Sequence, residues 1–198
     1  MYSSDETIDS DFLSPDEVQP TFVGFGPRFG AALLDVLIMI PVTGAAIYFS
    51  AISMNVNVYF LLILVSILYK PVCEKVLGGT PGKLILKMKV VGKGGVALSW
   101  GQAIMRYLPW LVGALFNVYM QYNAFQIPGI EDNDGFADYS RMVQEYQIEN
   151  GGIMLSIVQS LIGLLPLVST LFVLGNKKKQ AAHDILAETY VVSTKPKY

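Results

Sequence analysis

Residues 28–40 read RFGAALLDVLIMI: an arginine opens an apolar run, and an aspartate, Asp35, lies inside it. The run is too apolar for a helix that keeps one face in water, because such helices carry a polar stripe. Extended to about residues 29–49, it holds Asp35 as its only charge. Crossing a bilayer takes ~20 apolar residues, so this stretch reads as a transmembrane helix. Three more segments follow the same pattern: about 56–73 with Lys70 near its end, about 101–121 with Arg106, and about 153–174 with no charge. The whole chain is 53% hydrophobic and 15% charged, against roughly a quarter charged in a soluble domain. The expectation is an all-α membrane protein with four transmembrane helices in the lipid bilayer.

Charge placement orients the spans. Lys75, Lys83, Lys87, Lys89 and Lys93 lie between the second and third segments, and Lys177, Lys178, Lys179, Lys195 and Lys197 follow the fourth. Residues 122–152 contain one base, Arg141, among Glu131, Asp132, Asp134, Asp138, Glu145 and Glu149. Basic loops stay in the cytoplasm. Both termini and the middle loop are therefore expected inside, with 122–152 as an outer loop between helices 3 and 4. Residues 1–25 form an acidic tail, with six acids and no Lys or Arg in the first twenty positions. That pattern is the reverse of a secretory signal and suits a disordered segment. Residues 193–198 form a short closing tail.

Two pieces outside the lipid have patterns of their own. Thr80-Pro81-Gly82 reads as a turn, and the stretches at about 84–91, 96–98 and 188–194 read as short strands of a small cytoplasmic sheet. Gly92–Gly95 (GKGG) would be the hairpin between the first two. An amphipathic interfacial helix over 83–91 is the alternative, since Leu84, Leu86 and Met88 alternate with lysines. In the outer loop, EDNDG (131–135) fails as an EF-hand because positions one and twelve would be Ile130 and Arg141, where carboxylates are required. The plain reading is a turn followed by an amphipathic helix over about 136–148.

A charge at the bilayer centre costs about 2.5–3.5 kcal/mol on insertion scales, so Asp35 needs a partner or a task. Arg28, seven residues earlier, is ~10.5 Å away along a helix axis. Arg106 lies at matched depth on the third segment, and a direct or water-mediated Asp35–Arg106 contact is expected. The alternative leaves Arg106 snorkelling to headgroups and Asp35 protonated by burial. Pro41, Pro109 and Pro166 fall inside apolar segments and can kink them.

Three blocks of the sequence resemble the RDD family of bacterial integral membrane proteins, named for one arginine and two aspartates. They are GPRFGAALLDVLI at the start, GGTPGKLILKMKVVGKGGVALSWGQAIMRYL in the middle and KKKQAAHDILAETYVV near the end. With the apolar run that continues the first block, they cover residues 26–49, 78–108 and 177–192, in family order, and place an RDD-like membrane domain over 26–192. The resemblance implies that Arg28, Asp35 and Asp184 are the named residues. Asp184, beside His183, would cap a helix start or pair with Arg28. It also implies a multi-pass protein of the cell (inner) membrane, in a family with some members linked to transport, including sodium/proton antiport. The shorter family members lack the outer insertion at 122–152.

The candidate ion or charge-pair site therefore comprises Arg28, Asp35, Arg106, His183 and Asp184. One reading is a small ion transporter or transport-linked subunit with Asp35 as the ion-binding carboxylate. As four spans are few for a transporter, it would work as a homo-oligomer. The other is a non-catalytic scaffold that binds a partner membrane protein through the cytoplasmic sheet or the outer loop. No enzyme activity, cofactor, metal or nucleic-acid binding is expected. The sequence offers no nucleophile with an adjacent base, no Cys/His cluster and no phosphate loop.

Overall fold

The computed structural model describes residues 21–195. Its helices, in chain order, are α1 (Phe25–Ala51), α2 (Val56–Val76), the short α3 (Pro81–Ile85), α4 (Trp100–Ala124), α5 (Phe136–Leu171) and the short α6 (Ala182–Leu186). Two strands complete it, β1 (Met88–Gly92) and β2 (Thr189–Ser193). Among the described residues, three helices are long and apolar enough to span a membrane: α1, α2 and α5 continued to Leu174. Their most apolar windows are only 6%, 11% and 11% buried within the protein. Apolar surface that faces outward along a whole helix belongs against lipid, not water. The fourth expected span lies within α4, whose 25 residues include Gln102, Arg106, Asn117, Gln121 and Asn123. These polar groups lower its hydropathy below that of the other three, and several of them bond within the protein.

Helix α5 is longer than the apolar segment that announces it. It starts at Phe136, where the amphipathic outer helix was expected, and passes into the apolar stretch through a break at Gly152 (φ 57°, ψ −162°). Side chains essentially never adopt that backbone region, so Gly152 divides a polar arm from an apolar one.

The small sheet differs from expectation. β1 and β2 pair antiparallel, with Val90 opposite Val191. Residues 84–91 do not form one strand, because Thr80-Pro81 begins a helix: threonine at the N-cap and proline in the first turn form a helix-start signature. Residues 96–98 do not form a strand either. Gly94 and Gly95 have positive φ, and the Gly92 amide donates to the Val96 carbonyl, which closes the turn without a ladder. Ser99 then opens α4 through a capping box: its hydroxyl accepts from the Gln102 amide, and Gln102 Oε1 accepts from the Ser99 amide. The segment before α1 takes the place of the missing strand along β2. Phe22 bridges Val192, and the Val23 amide donates to the Val191 carbonyl.

The described residues divide into two compact units, 21–38, 69–108 and 167–195 in one and 39–68 with 109–166 in the other. Of the acidic tail expected over 1–25, residues 1–20 lie outside the described residues, as do 196–198 of the closing tail, whereas Phe22 and Val23 pair along β2 and Phe25 opens α1. The first unit has a core of Val23, Ala31, Met88, Val90, Leu98, Ala103 and Val191, so both strands and the starts of α1 and α4 share it. The second packs Ala51, Ala124, Ile127, Ile130 and Tyr139 together. There Gln121 donates to the Tyr139 hydroxyl, and Tyr59 donates to Asn117 Oδ1 at 3.2 Å. The EDNDG stretch leads into α5: Asn133 Oδ1 accepts from the Gly135 amide and Asp138 Oδ2 from the Asp134 amide.

Gly152→Ala should lower the thermal midpoint of the detergent-solubilised protein by the equivalent of about 1–3 kcal/mol. Gly163→Ala, in the same helix with open space around it, should leave it unchanged or raise it. Equal midpoints for the two variants would show that the break carries no backbone strain.

Candidate functional site

The first unit contains a chain of ion pairs with alternating sign: Arg28, Asp184, Arg106, Glu74, Lys83. Each residue comes from a different helix, α1, α6, α4, α2 and α3 respectively. Arg106 and Asp184 have no exposed side-chain surface. Arg106 donates from Nε to Glu74 Oε2 at 2.8 Å, and from Nη1 to Asp184 Oδ1 and to Thr189 Oγ1. Its Nη2 has no partner among the described residues. The other Glu74 oxygen accepts from Lys83 Nζ.

Arg28 uses all of its guanidinium nitrogens. Nη1 donates to Asp184 Oδ2 at 2.5 Å, Nε to the Val23 carbonyl at 3.0 Å and Nη2 to the Lys179 carbonyl at 2.7 Å. One side chain thus holds the segment that precedes α1, the basic loop and α6 together. Asp184 also accepts from the Ala181 amide at 3.0 Å, so it caps its own helix while it receives two arginines. Both suggested uses of this aspartate, cap and Arg28 partner, occur together. Burial alone would raise the Asp184 pKa, but the Arg106 and Arg28 guanidiniums outweigh it and hold the carboxyl well below the usual range.

His183 lies beside this chain. Its Nδ1 is 2.8 Å from Ser169 Oγ, and its Nε2 is 3.3 Å from Asp184 Oδ1. The order Ser169–His183–Asp184 is that of a nucleophilic triad, but the serine is buried and its oxygen also accepts the His183 backbone amide at 3.1 Å. The set fastens the end of α5 to the start of α6. Burial lowers the His183 pKa well below its ordinary value. Asp184 opposes that shift, and the positive charges of Lys70, Arg106 and Lys83 reinforce it.

No direct Asp35–Arg106 hydrogen bond or ion pair forms, and Asp35 stands outside the ion chain. Tyr69 Oη donates to Asp35 Oδ1 at 2.9 Å, Thr80 Oγ1 to Oδ2 at 2.5 Å and the Gly82 amide to Oδ1 at 2.8 Å. Asp35 therefore holds the first turn of α3 against α1, with three neutral donors in place of a counter-charge. A Cβ on Gly82 would lie 2.2 Å from the Ala31 carbonyl oxygen, so only glycine lets α3 approach this closely. Matched depth in the lipid does not fix rotation about a helix axis, and Arg106 faces Glu74 and Asp184 instead.

Four of the five residues singled out in the sequence, Arg28, Arg106, His183 and Asp184, meet in one cluster. Sequence reasoning missed Glu74, Lys83, Tyr69, Thr80 and Thr189. Glu74 follows the apolar segment directly and reads as an interfacial charge. Its signal was the four-residue spacing from Lys70, which puts both on one helical face. Thr80 reads as part of a turn, and the carboxylate that its hydroxyl serves is 45 residues away.

Apolar helices with lipid-facing surfaces, joined at one set of ends by buried ion pairs, define a multi-pass membrane protein. The RDD family model matches residues 22–188, and the chain belongs to the RDD family. No curated protein and no solved structure matches it.

Arg106→Gln should destabilise the protein by about 3–5 kcal/mol, because it leaves two buried carboxylates short of a partner. In denaturant unfolding, the Glu74→Gln/Arg106→Gln pair should lose less than the sum of the single losses. Strict additivity would mean that the two groups do not interact. The pH dependence follows from the single histidine of the chain. Unfolded His183 takes up a proton near pH ~6.5, whereas the folded protein refuses it until lower pH. Its stability contribution is therefore full above the unfolded pKa and lost as pH falls below it, with a slope approaching ~1.4 kcal/mol per pH unit. The thermal midpoint should drop between about pH 7.5 and 5.5 in wild type and much less in His183→Gln; parallel curves would contradict the assignment.

Proposed function

We propose that this RDD-family protein is a non-catalytic scaffold of the cell membrane that presents rigid extramembrane parts to a partner membrane protein or to a second copy. The observation that carries this reading is the consumption of every carboxylate in the candidate site by internal donors. Asp184 is held by two arginines, Glu74 by Arg106 and Lys83, and Asp35 by Tyr69, Thr80 and Gly82. A transported ion needs a carboxylate that can exchange partners. Carboxylates locked between buried guanidiniums instead fix one arrangement of helices.

The topology that goes with this function has four spans. Helix α4, with 25 residues, is ~37 Å long at 1.5 Å per residue, and its internal charge is compensated. The basic segments at 75–93 and 177–195 then face the cytoplasm with both termini, and 122–152 faces outward.

Ion transport is the second reading, and one observation favours it. Asp35 lies within the apolar helix α1, half-buried and apart from the ion chain, and its donors are neutral hydroxyl and amide groups. A small cation could replace them without displacing an arginine.

Proteoliposomes under a pH gradient, with Na⁺ or K⁺ on one side, distinguish the two readings. The scaffold predicts flux no greater than in empty vesicles for wild type and for Asp35→Asn. Wild-type flux that disappears in a well-folded Asp35→Asn would sink it and make Asp35 the ion site. For the topology, Lys87→Cys in a Cys73→Ser background should react with an impermeant thiol reagent only after the cytoplasmic face is opened. Labelling from outside intact cells would reverse the orientation.

A further inference from the structure

We infer that the groove at the end of α5 is a binding site for an anionic phospholipid, with its headgroup on Lys177 and Lys178 and its acyl chains along α5. The groove has a volume of about 760 Å³, and its walls include Val168, Leu171, Phe172 and Ile185 together with the two lysines. Those four apolar side chains are between 42% and 55% exposed, so the groove shows an uncovered apolar wall beside positive charge. Leu167, 49% exposed, extends the apolar surface on the same helix. A free anion would engage the lysines alone, whereas an amphiphile meets them with its phosphate and lays its chains on the apolar wall beside them. The complementarity therefore selects a lipid.

The basic turn is built to hold its shape. The Lys178 amide donates to Asn176 Oδ1 at 2.8 Å, and the Lys179 amide donates to the Asn176 carbonyl at 2.9 Å. The Lys179 carbonyl accepts from Arg28, so the buried ion chain anchors the turn from behind. Lys178 Nζ lies 5.9 Å above the Tyr190 ring of β2, which directs this flexible side chain. A turn fixed in this way loses little freedom when a headgroup binds, and that favours a defined site over diffuse attraction. The inference is independent of whether the protein is a scaffold or a transporter.

The test uses the purified full-length chain in a non-ionic detergent, titrated with phosphatidylglycerol, phosphatidylcholine or glycerol 3-phosphate. Bound lipid is counted by native mass spectrometry, and the thermal midpoint is recorded in parallel. Phosphatidylglycerol should bind and raise the midpoint, while phosphatidylcholine should do so far less. Lys177→Gln/Lys178→Gln should weaken phosphatidylglycerol binding on the order of tenfold, as expected for two surface lysines. Its midpoint without added lipid should fall by no more than the loss of the Lys178–Tyr190 contact, because neither ammonium group lies in the ion chain. Lys177→Arg/Lys178→Arg should retain binding, and Lys87→Gln, a surface lysine elsewhere, should behave as wild type. Equal binding of the two phospholipids, or undiminished phosphatidylglycerol binding by the glutamine variant, would overturn the site. Stabilisation by glycerol 3-phosphate equal to that by the lipid would also overturn it, in favour of a free-anion site.

Discussion

Arg106 has no solvent-exposed side-chain surface, yet it is charged and lies on a helix set among apolar segments. Its burial is possible only because Glu74 and Asp184 converge on it from two other helices, and each of those carboxylates draws in a further cation, Lys83 or Arg28. The fold of the first unit depends on this alternation. Against well-packed apolar residues, a buried ion pair often gains little stability. What it does enforce is a unique arrangement, because any rotation or register shift of one helix would strand a charge. Five helices are indexed against one another by five side chains.

Around this chain, backbone and loops are fastened by the spare hydrogen-bonding capacity of the same groups. Arg28 holds the Val23 and Lys179 carbonyls, so the strand-like segment before α1 and the basic turn after α5 are fixed by the residue that pairs with Asp184. Thr189 accepts from Arg106 through its hydroxyl while Gln180 donates to its backbone carbonyl, which ties β2 to the ion chain. Asp35 does separate work through neutral donors and sets the close approach of α3 to α1, which the absence of a Cβ at Gly82 allows. Two aspartates with similar prominence in the sequence thus have different partners and chemistry.

The legible parts of the sequence were those with local or periodic causes. Apolar runs disclosed α1, α2 and the second arm of α5, and the β-branched stretches at Val90-Val91 and Val191-Val192 disclosed the two strands. Errors arose where two local signals competed. Thr80-Pro81 reads locally as a turn but begins a helix, and Val96–Leu98 reads as a strand although the Ser99…Gln102 box marks the opening of α4. The pairing of Arg28 with Asp184 followed from their common level at one end of the apolar segments, whereas the pairing of Arg106 did not. Depth along a helix can be counted in residues, but the direction in which a side chain points across a bundle cannot.

By itself the sequence determined that this chain enters a membrane and that its charged residues need partners, because hydropathy and the cost of burying charge depend only on residue type and spacing. It also determined the family, through blocks of residues kept in order. Only the tertiary structure decided the partners: Glu74 and Asp184 for Arg106, three neutral donors for Asp35, and Ser169 for His183. Those choices join residues as much as 78 positions apart, and they depend on how the helices are rotated about their axes. That rotation is settled by all the contacts together and is written in no single stretch of the chain.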